Sequence, residues 1–174
     1  METNNKTTTI LLGHGIFSIG SKPIALTRGG GKFSVEREYR EIEADGYPGP
    51  IKGNIVVDKS TAKLEINQLT VVPEDFKTYY PALNVDAATP GTVKIEGDST
   101  IKDSDYQDEV SWTGKTREGK AVKIIVKNAI NLESIDWEMQ DKSEVINKLT
   151  YNACFIEGEL EKEPWEINWG VATA

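Results

Sequence analysis

The stretch YQDEVSWTGKTREGKAVKIIVKNA, residues 106–129, decides the fold of this chain. Two runs rich in β-branched and aromatic residues, 106–116 and 120–129, flank the short connection Arg117-Glu118-Gly119. Residues of this kind favour extended strands, and a short glycine-containing connection between two such runs favours an antiparallel hairpin. The sequence therefore predicts a β-hairpin at the centre of a β-rich domain.

Weaker strand patterns lie on both sides of this hairpin. Apolar and polar residues alternate with a period of two, or form short apolar runs, at 33–43, 54–57, 62–67, 93–95 and 144–156. Helical spacing of aromatic and apolar residues occurs once, between Pro73 and Leu83. Many short strands with a single helix predict a mainly β fold, namely an antiparallel β-sandwich or barrel-like domain with one short flanking helix.

The two ends of the chain differ in composition from this central part. Residues 1–32 contain six glycines, three of them consecutive, and residues 157–174 contain a Pro164-Trp165 step among acidic residues. Glycine loses much backbone entropy on ordering and buries no side chain. We therefore expect an extended N-terminal arm over residues 1–32, a β-sandwich domain over 33–156 and an extended C-terminal arm over 157–174, with the arms bridging to neighbouring subunits.

Size and charge narrow the class of protein. The chain has 174 residues, of which 38% are hydrophobic, and this is typical of one folded domain with extensions. Its 20 Lys and Arg residues against 28 Asp and Glu residues give a formal charge of −8. An acidic surface repels phosphate backbones, which argues against a protein that grips nucleic acid by counterion release.

Side chains that support catalysis or metal binding are scarce. His14 is the single histidine and Cys154 the single cysteine, so neither a histidine-based triad nor an intrachain disulfide can form. The segment Gly114-Lys115-Thr116 lacks the earlier glycine of a phosphate-binding loop, and the acidic run between Asp98 and Glu109 is typical of a solvated loop. We expect no enzymatic activity, no cofactor and no bound metal.

Membrane insertion and secretion are not expected either. No stretch approaches the roughly 18 apolar residues that a membrane span needs. Residues 10–20 contain a histidine and three glycines and are followed by no cleavage signal of small residues, which differs from a signal peptide. The sequence therefore predicts a cytosolic product.

The four tryptophans fall into two groups. Trp112 and Trp137 lie within predicted strands and are expected in the core, whereas Trp165 and Trp169 lie in the expected C-terminal arm. Three interpretations are open for the second pair: burial against another chain, stacking on a sugar, or packing back onto the domain itself.

The order of these features resembles the major tail tube proteins of long-tailed, siphovirus-type bacteriophages, whose fold is shared with the type VI secretion tube. The resemblance extends over most of the chain. It is carried by the glycine-rich N-terminal segment leading into 33–43, the loop DGYPGP at 45–50, the helix ending YYPAL at 79–83, the hairpin 114–120, the run KNAI at 127–130 with Trp137, the last strand 144–155 and Pro164-Trp165.

The resemblance implies a β-sandwich with a flanking helix that assembles into hexameric rings, in which the inner sheets of neighbouring subunits join into a continuous barrel. Stacked rings would surround a tape measure protein and later conduct DNA without binding it specifically. It further implies contacts with tail terminator and distal tail or baseplate proteins, and a place in the virion tail after assembly in the host bacterial cytoplasm.

Candidate residues follow from this implied assembly. The candidates for contacts between subunits are Phe17, Tyr47, Trp165 and Trp169, and the loop around Tyr47 is expected to reach an adjacent subunit or ring. The candidates for the tube lumen are Glu36, Glu38, Lys63 and Glu65, although the outer surface is an equally open position for them. Two alternatives are a secreted carbohydrate-binding or adhesin-like sandwich and a phage capsid decoration or tail-completion protein.

Overall fold

The computed structural model describes residues 9–170. Strands make up 49% of the structure and helices 6%, and every strand pair is antiparallel. The predicted mainly β, sandwich-like fold is confirmed. The elements are β1 (Leu11–Ile19), β2 (Lys22–Pro23), β3 (Thr27–Glu41), β4 (Ile55–Gln68), α1 (Phe76–Tyr79), β5 (Leu83–Asp86), β6 (Lys94–Gly97), β7 (Gln107–Thr116), β8 (Ala121–Asn131), β9 (Asn147–Asn152) and β10 (Trp165–Trp169).

The central hairpin forms as the sequence predicts. Strands β7 and β8 pair from Lys115 opposite Ala121 to Gln107 opposite Ala129, with Val110 opposite Val126 and Trp112 opposite Ile124. Gly119 closes the turn with a φ of 83°, a left-handed conformation that glycine adopts without steric cost. The hairpin is the scaffold on which both layers of the molecule are built.

Apart from β5 and β6, which form a separate two-stranded sheet, the strands form two layers connected by β8. One layer has the order β2-β1-β7-β8-β10, and the other contains β3, β4 and β9. The first part of β8 pairs with β7 and β10, whereas Ile130 and Asn131 at its end pair with β9. Between these parts lies Asn128, whose φ of 48° is in the left-handed region that asparagine tolerates better than most residues. This conformation accompanies the passage of the strand from one layer to the other.

The hydrophobic core lies between the two layers. One layer contributes Phe17, Ile19, Val110 and Val126, and the facing layer contributes Leu64, Ile66, Leu149 and Tyr151. The helical segment adds three aromatic rings to the same cluster, those of Phe76, Tyr79 and Tyr80. Apolar side chains that alternate along each strand are thereby removed from water, which is the main favourable contribution to folding.

Close packing around Trp112 explains why positions 15 and 114 are occupied by glycine. A Cβ atom on Gly15 would lie 2.5 Å from the indole of Trp112, and one on Gly114 would lie 2.1 Å from it. The indole therefore lies directly against the backbone of β1 and β7, a position that only glycine allows. Gly31 of β3 has a similar role, because its Cβ would lie 2.6 Å from the ring of Phe17.

These contacts correct the expected domain boundaries. Strand β1 belongs to a layer of the sandwich, and the expected boundary between residues 32 and 33 falls inside β3. The glycines that suggested a flexible arm at residues 1–32 include two, Gly15 and Gly31, that permit close packing. At the other end, β10 pairs with β8 along its whole length, so the folded domain extends into the expected arm over 157–174. Residues 1–8 and 171–174 lie outside the described part.

Several elements differ in length from their predictions. The predicted helix over 73–83 is a 3₁₀ turn at Pro73–Asp75 followed by α1, and after a bend at residues 80–82 strand β5 begins at Leu83. The two predicted strands 54–57 and 62–67 are one continuous strand, β4. The predicted strand 144–156 shortens to β9, and Trp137 lies in an irregular segment before it, where its ring meets Phe76 edge-on at 5.8 Å.

Candidate assembly surfaces

Phe17 is a core residue of its own chain. Its ring is 6% exposed, whereas the neighbouring Ile16, which points to the opposite face of β1, is 57% exposed. The proposed role of Phe17 as a contact between subunits is therefore corrected, because its ring is not on the surface. The sequence could not distinguish the two residues, since both are apolar and adjacent in an atypical strand.

Trp165 packs back onto its own domain. Its ring lies 5.9 Å from the ring of Phe33, and the guanidinium of Arg37 lies 5.9 Å from the Trp165 ring centroid. Arg37 also forms an ion pair of 2.8 Å with Glu163, whose carboxylate accepts a hydrogen bond from the indole N–H of Trp165. We call these four residues the C-terminal clasp, because they attach the start of β10 to β3.

The charges of the C-terminal clasp perturb each other. The hydrogen bond from Arg37 lowers the pKa of Glu163, and the same hydrogen bond raises the pKa of Arg37. Both shifts favour the charged forms, so the pair is ionised around neutral pH. Because the pair is partly exposed, its contribution to stability is modest.

Glu163→Gln should therefore destabilise the chain slightly and in a pH-dependent way. We expect a loss below about 1 kcal/mol at neutral pH. Because the pKa of Glu163 is lower in the folded chain than in the unfolded one, its contribution is present above the usual glutamate pKa and is lost as the pH falls through the lowered value. Urea titrations of both proteins should differ at about pH 7, and the difference should be smaller at about pH 3. An equal difference at both values would contradict the ionic role of Glu163.

Trp169, unlike Trp165, has an exposed ring and remains a candidate for contacts between subunits. It is 55% exposed at the end of β10, and Ile167 on the same face of the strand is also exposed. The backbone of Trp169 pairs with Val122, which fixes the position of the strand while leaving most of the ring in solvent. The two rings of the C-terminal segment thus differ in surroundings: one packs internally and one is available to a partner.

A second candidate surface lies at the outer part of the β3–β4 hairpin. We call residues 39–57 the hairpin tip. Tyr39 lies opposite Val57 on one face of the tip, and five of its large apolar residues are exposed, whereas Ile51 and Val56 are partly buried. The exposed residues are Tyr39, Ile42, Tyr47, Ile55 and Val57. Tyr47, 64% exposed, lies in the irregular connection 42–54 between the two strands. Exposed apolar residues concentrated in this way are typical of interaction surfaces.

The four lumen candidates share one face of the β3–β4 pair. Glu36, Glu38, Lys63 and Glu65 all point away from the core, since the buried residues of β4 are those in between. Lys63 pairs with Glu36 at 3.3 Å, and Lys59 pairs with Glu38 at 3.4 Å. This outward face therefore carries charges of both signs, and the negative excess of the whole chain is not concentrated on it.

Several strand edges have no partner among the described residues. Strand β3 is at the border of its layer over 15 residues, and β2 covers β1 only at Ser18 and Ile19. The pairing of β4 with β9 begins only at Lys63, so the first part of β4 is unpaired on that side. Open antiparallel edges present free backbone donors and acceptors that another strand can complete.

Within residues 9–170, no group of three or more His, Cys, Asp or Glu side chains could hold a metal ion. In the same range, no helix is long and apolar enough to cross a membrane. His14 lies on β1 between two glycines. The candidate functional features of the described chain are therefore its surfaces: the hairpin tip, the outward face of β3 and β4, the exposed end of β10 and the open strand edges.

The sequence matches no protein-family model, and no curated protein matches it.

Proposed function

We propose that this chain is a structural virion protein that assembles with copies of itself into stacked rings, forming the tail tube of a long-tailed phage. The observation that carries the proposal is the combination of open strand edges in both layers with a projecting hairpin tip rich in exposed apolar residues. Such edges and patches are liabilities in a monomer, and completion by a neighbouring copy removes them from solvent.

The positions of the edges support rings and tubes over closed dimers. The open edges of β1, β3 and β4 are different surfaces, so a contact between two of them joins unlike patches of two copies. Contacts between unlike patches repeat from copy to copy and either close into a ring or continue as a filament. The resemblance to tail tube proteins favours six copies in a ring, with the hairpin tip available for contacts to an adjacent subunit or ring.

The outward face of β3 and β4 suits the wall of a DNA passage. Each of its two cross-strand lysine–glutamate pairs neutralises itself, so few free cations remain to hold phosphates. DNA then passes without specific binding. In this proposal the further partners are a tape measure protein inside the tube and terminator and baseplate proteins at its ends, all in the tail of a virion assembled in the bacterial cytoplasm.

The carbohydrate-binding alternative has less support. Sugar-binding sites commonly use aromatic side chains with free faces, yet Trp165 is already in contact with Phe33 and Arg37. Of the two tryptophans in the C-terminal segment, only Trp169 has a largely exposed ring. This alternative predicts a monomer that binds glycans, so the size of the purified protein distinguishes it from the tube.

Tyr47→Ser tests the role of the hairpin tip in assembly. Because the ring is mostly in solvent, its loss should move the thermal midpoint of the isolated subunit little, but it should shift the sedimentation of the assembled protein toward smaller species. Met139→Ser is the matched control, since Met139 is exposed in the irregular segment after β8. Unchanged assembly by Tyr47→Ser, or a large loss of subunit stability, would contradict this role.

A further inference from the structure

A groove of about 660 Å³ lies beside β4 where β9 leaves it. The last backbone bond between the two segments is donated by the N–H of Ala153 to the carbonyl of Ala62, at 2.9 Å. Beyond this bond the chain continues through Cys154 and Phe155, which with Leu160 form the wall opposite β4. If β9 continued as a strand beyond Asn152, its next residues would pair with β4 at the place where the groove now lies.

The floor of the groove is an open strand edge. Residues Val57 to Thr61 of β4 line it, and on this side the described chain makes no strand pairing with them. Five residues of strand are about 17 Å long. Apolar side chains in solvent border the groove: Val57 from the floor, and Phe155 and Leu160 from the wall, the last 71% exposed. An open edge between apolar walls is the arrangement by which a sheet receives an added strand.

The N-terminal part of β1 has the complementary features. Ile10, Leu11 and Leu12 are consecutive apolar residues, all exposed, at the start of an extended strand. One edge of this strand pairs with β7 through Leu11 and Thr116, and the other is open, because β2 covers only the end of β1. This segment presents both a free backbone edge and unburied apolar side chains.

The segment cannot enter the groove of its own chain. Its Ile10 carbonyl accepts a hydrogen bond of 2.8 Å from Arg117 at the β7–β8 turn, which lies near the Trp169 end of β10. The groove lies past the opposite end of β10, where the N–H of Lys127 donates to the carbonyl of Pro164. The five residues of β10 separate the two places, so the occupant must come from another molecule.

We propose that residues Ile10 to Leu12 of a second copy pair with the open edge of β4 inside this groove. This contact rests on the self-assembly proposed above, and it is the contact through which neighbouring copies would join. One copy contributes a strand edge and the next contributes the groove, so every subunit uses both surfaces once and the contact propagates around a ring.

Cysteine cross-linking tests this contact, because the native Cys154 already lines the groove. Leu11→Cys and Leu12→Cys place a thiol on either face of the segment, since adjacent strand residues point in opposite directions. Each variant is mixed with wild-type chains, so that an assembly defect of the variant does not hide the contact, and is oxidised with copper phenanthroline. Ser104→Cys, in an exposed turn, is the control.

We expect disulfide-linked dimers from at least one of the two variants and none from the control. The same variants in a Cys154→Ser background, mixed with Cys154→Ser chains instead of wild-type chains, should also form none, because no thiol then remains in the groove. Linked species within single chains, without dimers, would overturn the proposal in favour of an internal contact. Assembled mixtures in which neither variant forms linked dimers would also overturn it, while leaving the proposed function intact. A wild-type protein that remains monomeric would instead remove the proposed function, and this contact with it.

Discussion

Phe17→Ala is expected to lower the free energy of unfolding by about 3–5 kcal/mol. The ring is buried between the layers and lies against the backbone of Gly31, so its removal leaves a cavity that the rigid strands cannot close. Urea denaturation of the purified chain measures this loss directly. An effect of this size would show that the glycine-containing N-terminal segment is part of the core.

The control is Ile16→Ala on the same strand. Ile16 points into solvent, so its truncation should change the free energy of unfolding by no more than about 0.5 kcal/mol. Small and equal effects of both substitutions would mean that β1 is a loosely attached arm. For the same reason, deletion of residues 1–30 should prevent folding, because it removes Phe17, Ile19 and Ile24 from the core.

Asn147→Ala is the second substitution with a large expected effect, about 2–4 kcal/mol. The side-chain oxygen of Asn147 accepts hydrogen bonds from the hydroxyl of Tyr80 at 2.7 Å and from the indole N–H of Trp137 at 3.1 Å. Its amide nitrogen donates to Gln68 at 3.2 Å. Truncation removes this partner from the Trp137 indole and from Gln68, and it leaves the Tyr80 hydroxyl only the carbonyl of Lys148 at 3.3 Å. In this region burial also raises the pKa of Tyr80 to about 12.

Asn152→Ala is the matched control, because Asn152 lies on the same strand but is only partly buried, and its amide bonds to the carbonyl of Thr150 in its own strand. We expect its loss to stay below about 1 kcal/mol. Urea titration compares the two variants, and near-ultraviolet circular dichroism reports on the surroundings of Trp137. Equal stability of both variants would contradict a structural role for the Asn147 network.

The part of the fold that follows local patterns could be predicted from the sequence. The β7–β8 hairpin and most of β3 and β4 were recognisable because residues alternate with a period of two and a glycine marks the turn. The same alternation correctly grouped Glu36 and Glu38 on one face, although Lys59, which pairs with Glu38, was not among the predicted residues.

The features that could not be predicted depend on contacts between residues that are far apart in the sequence. Gly15 suggests flexibility when read locally, and only the position of Trp112, far away in sequence, shows that it is required for packing. Asn147 interrupts an apolar pattern, and its role becomes clear only when Tyr80 and Trp137 converge on it. The ring of Trp165 likewise packs against residues that are far away in the sequence, because Phe33 and Arg37 lie on β3.

Of the surfaces proposed for assembly, the exposed Tyr47 loop could be predicted from the sequence, whereas the groove beside β4 could not. The exposure of Tyr47 follows from its place in a loop dense in glycine and proline, and the structure places it in solvent. The groove beside β4 had no sequence signal, since it arises where β9 ends earlier than its apolar pattern does. Phe155 and Cys154 continue that pattern but form the wall of the groove instead of a strand.

Electron microscopy of the purified 174-residue chain tests the central claim most directly. Negatively stained samples over a range of protein concentrations should show rings, or hollow tubes of stacked rings, with repeating subunits around a central passage. Class averages of end-on views should give the number of copies in a ring, which the resemblance sets at six. Isolated particles of a single 19.3 kDa chain at every concentration, with no rings or tubes, would contradict the account.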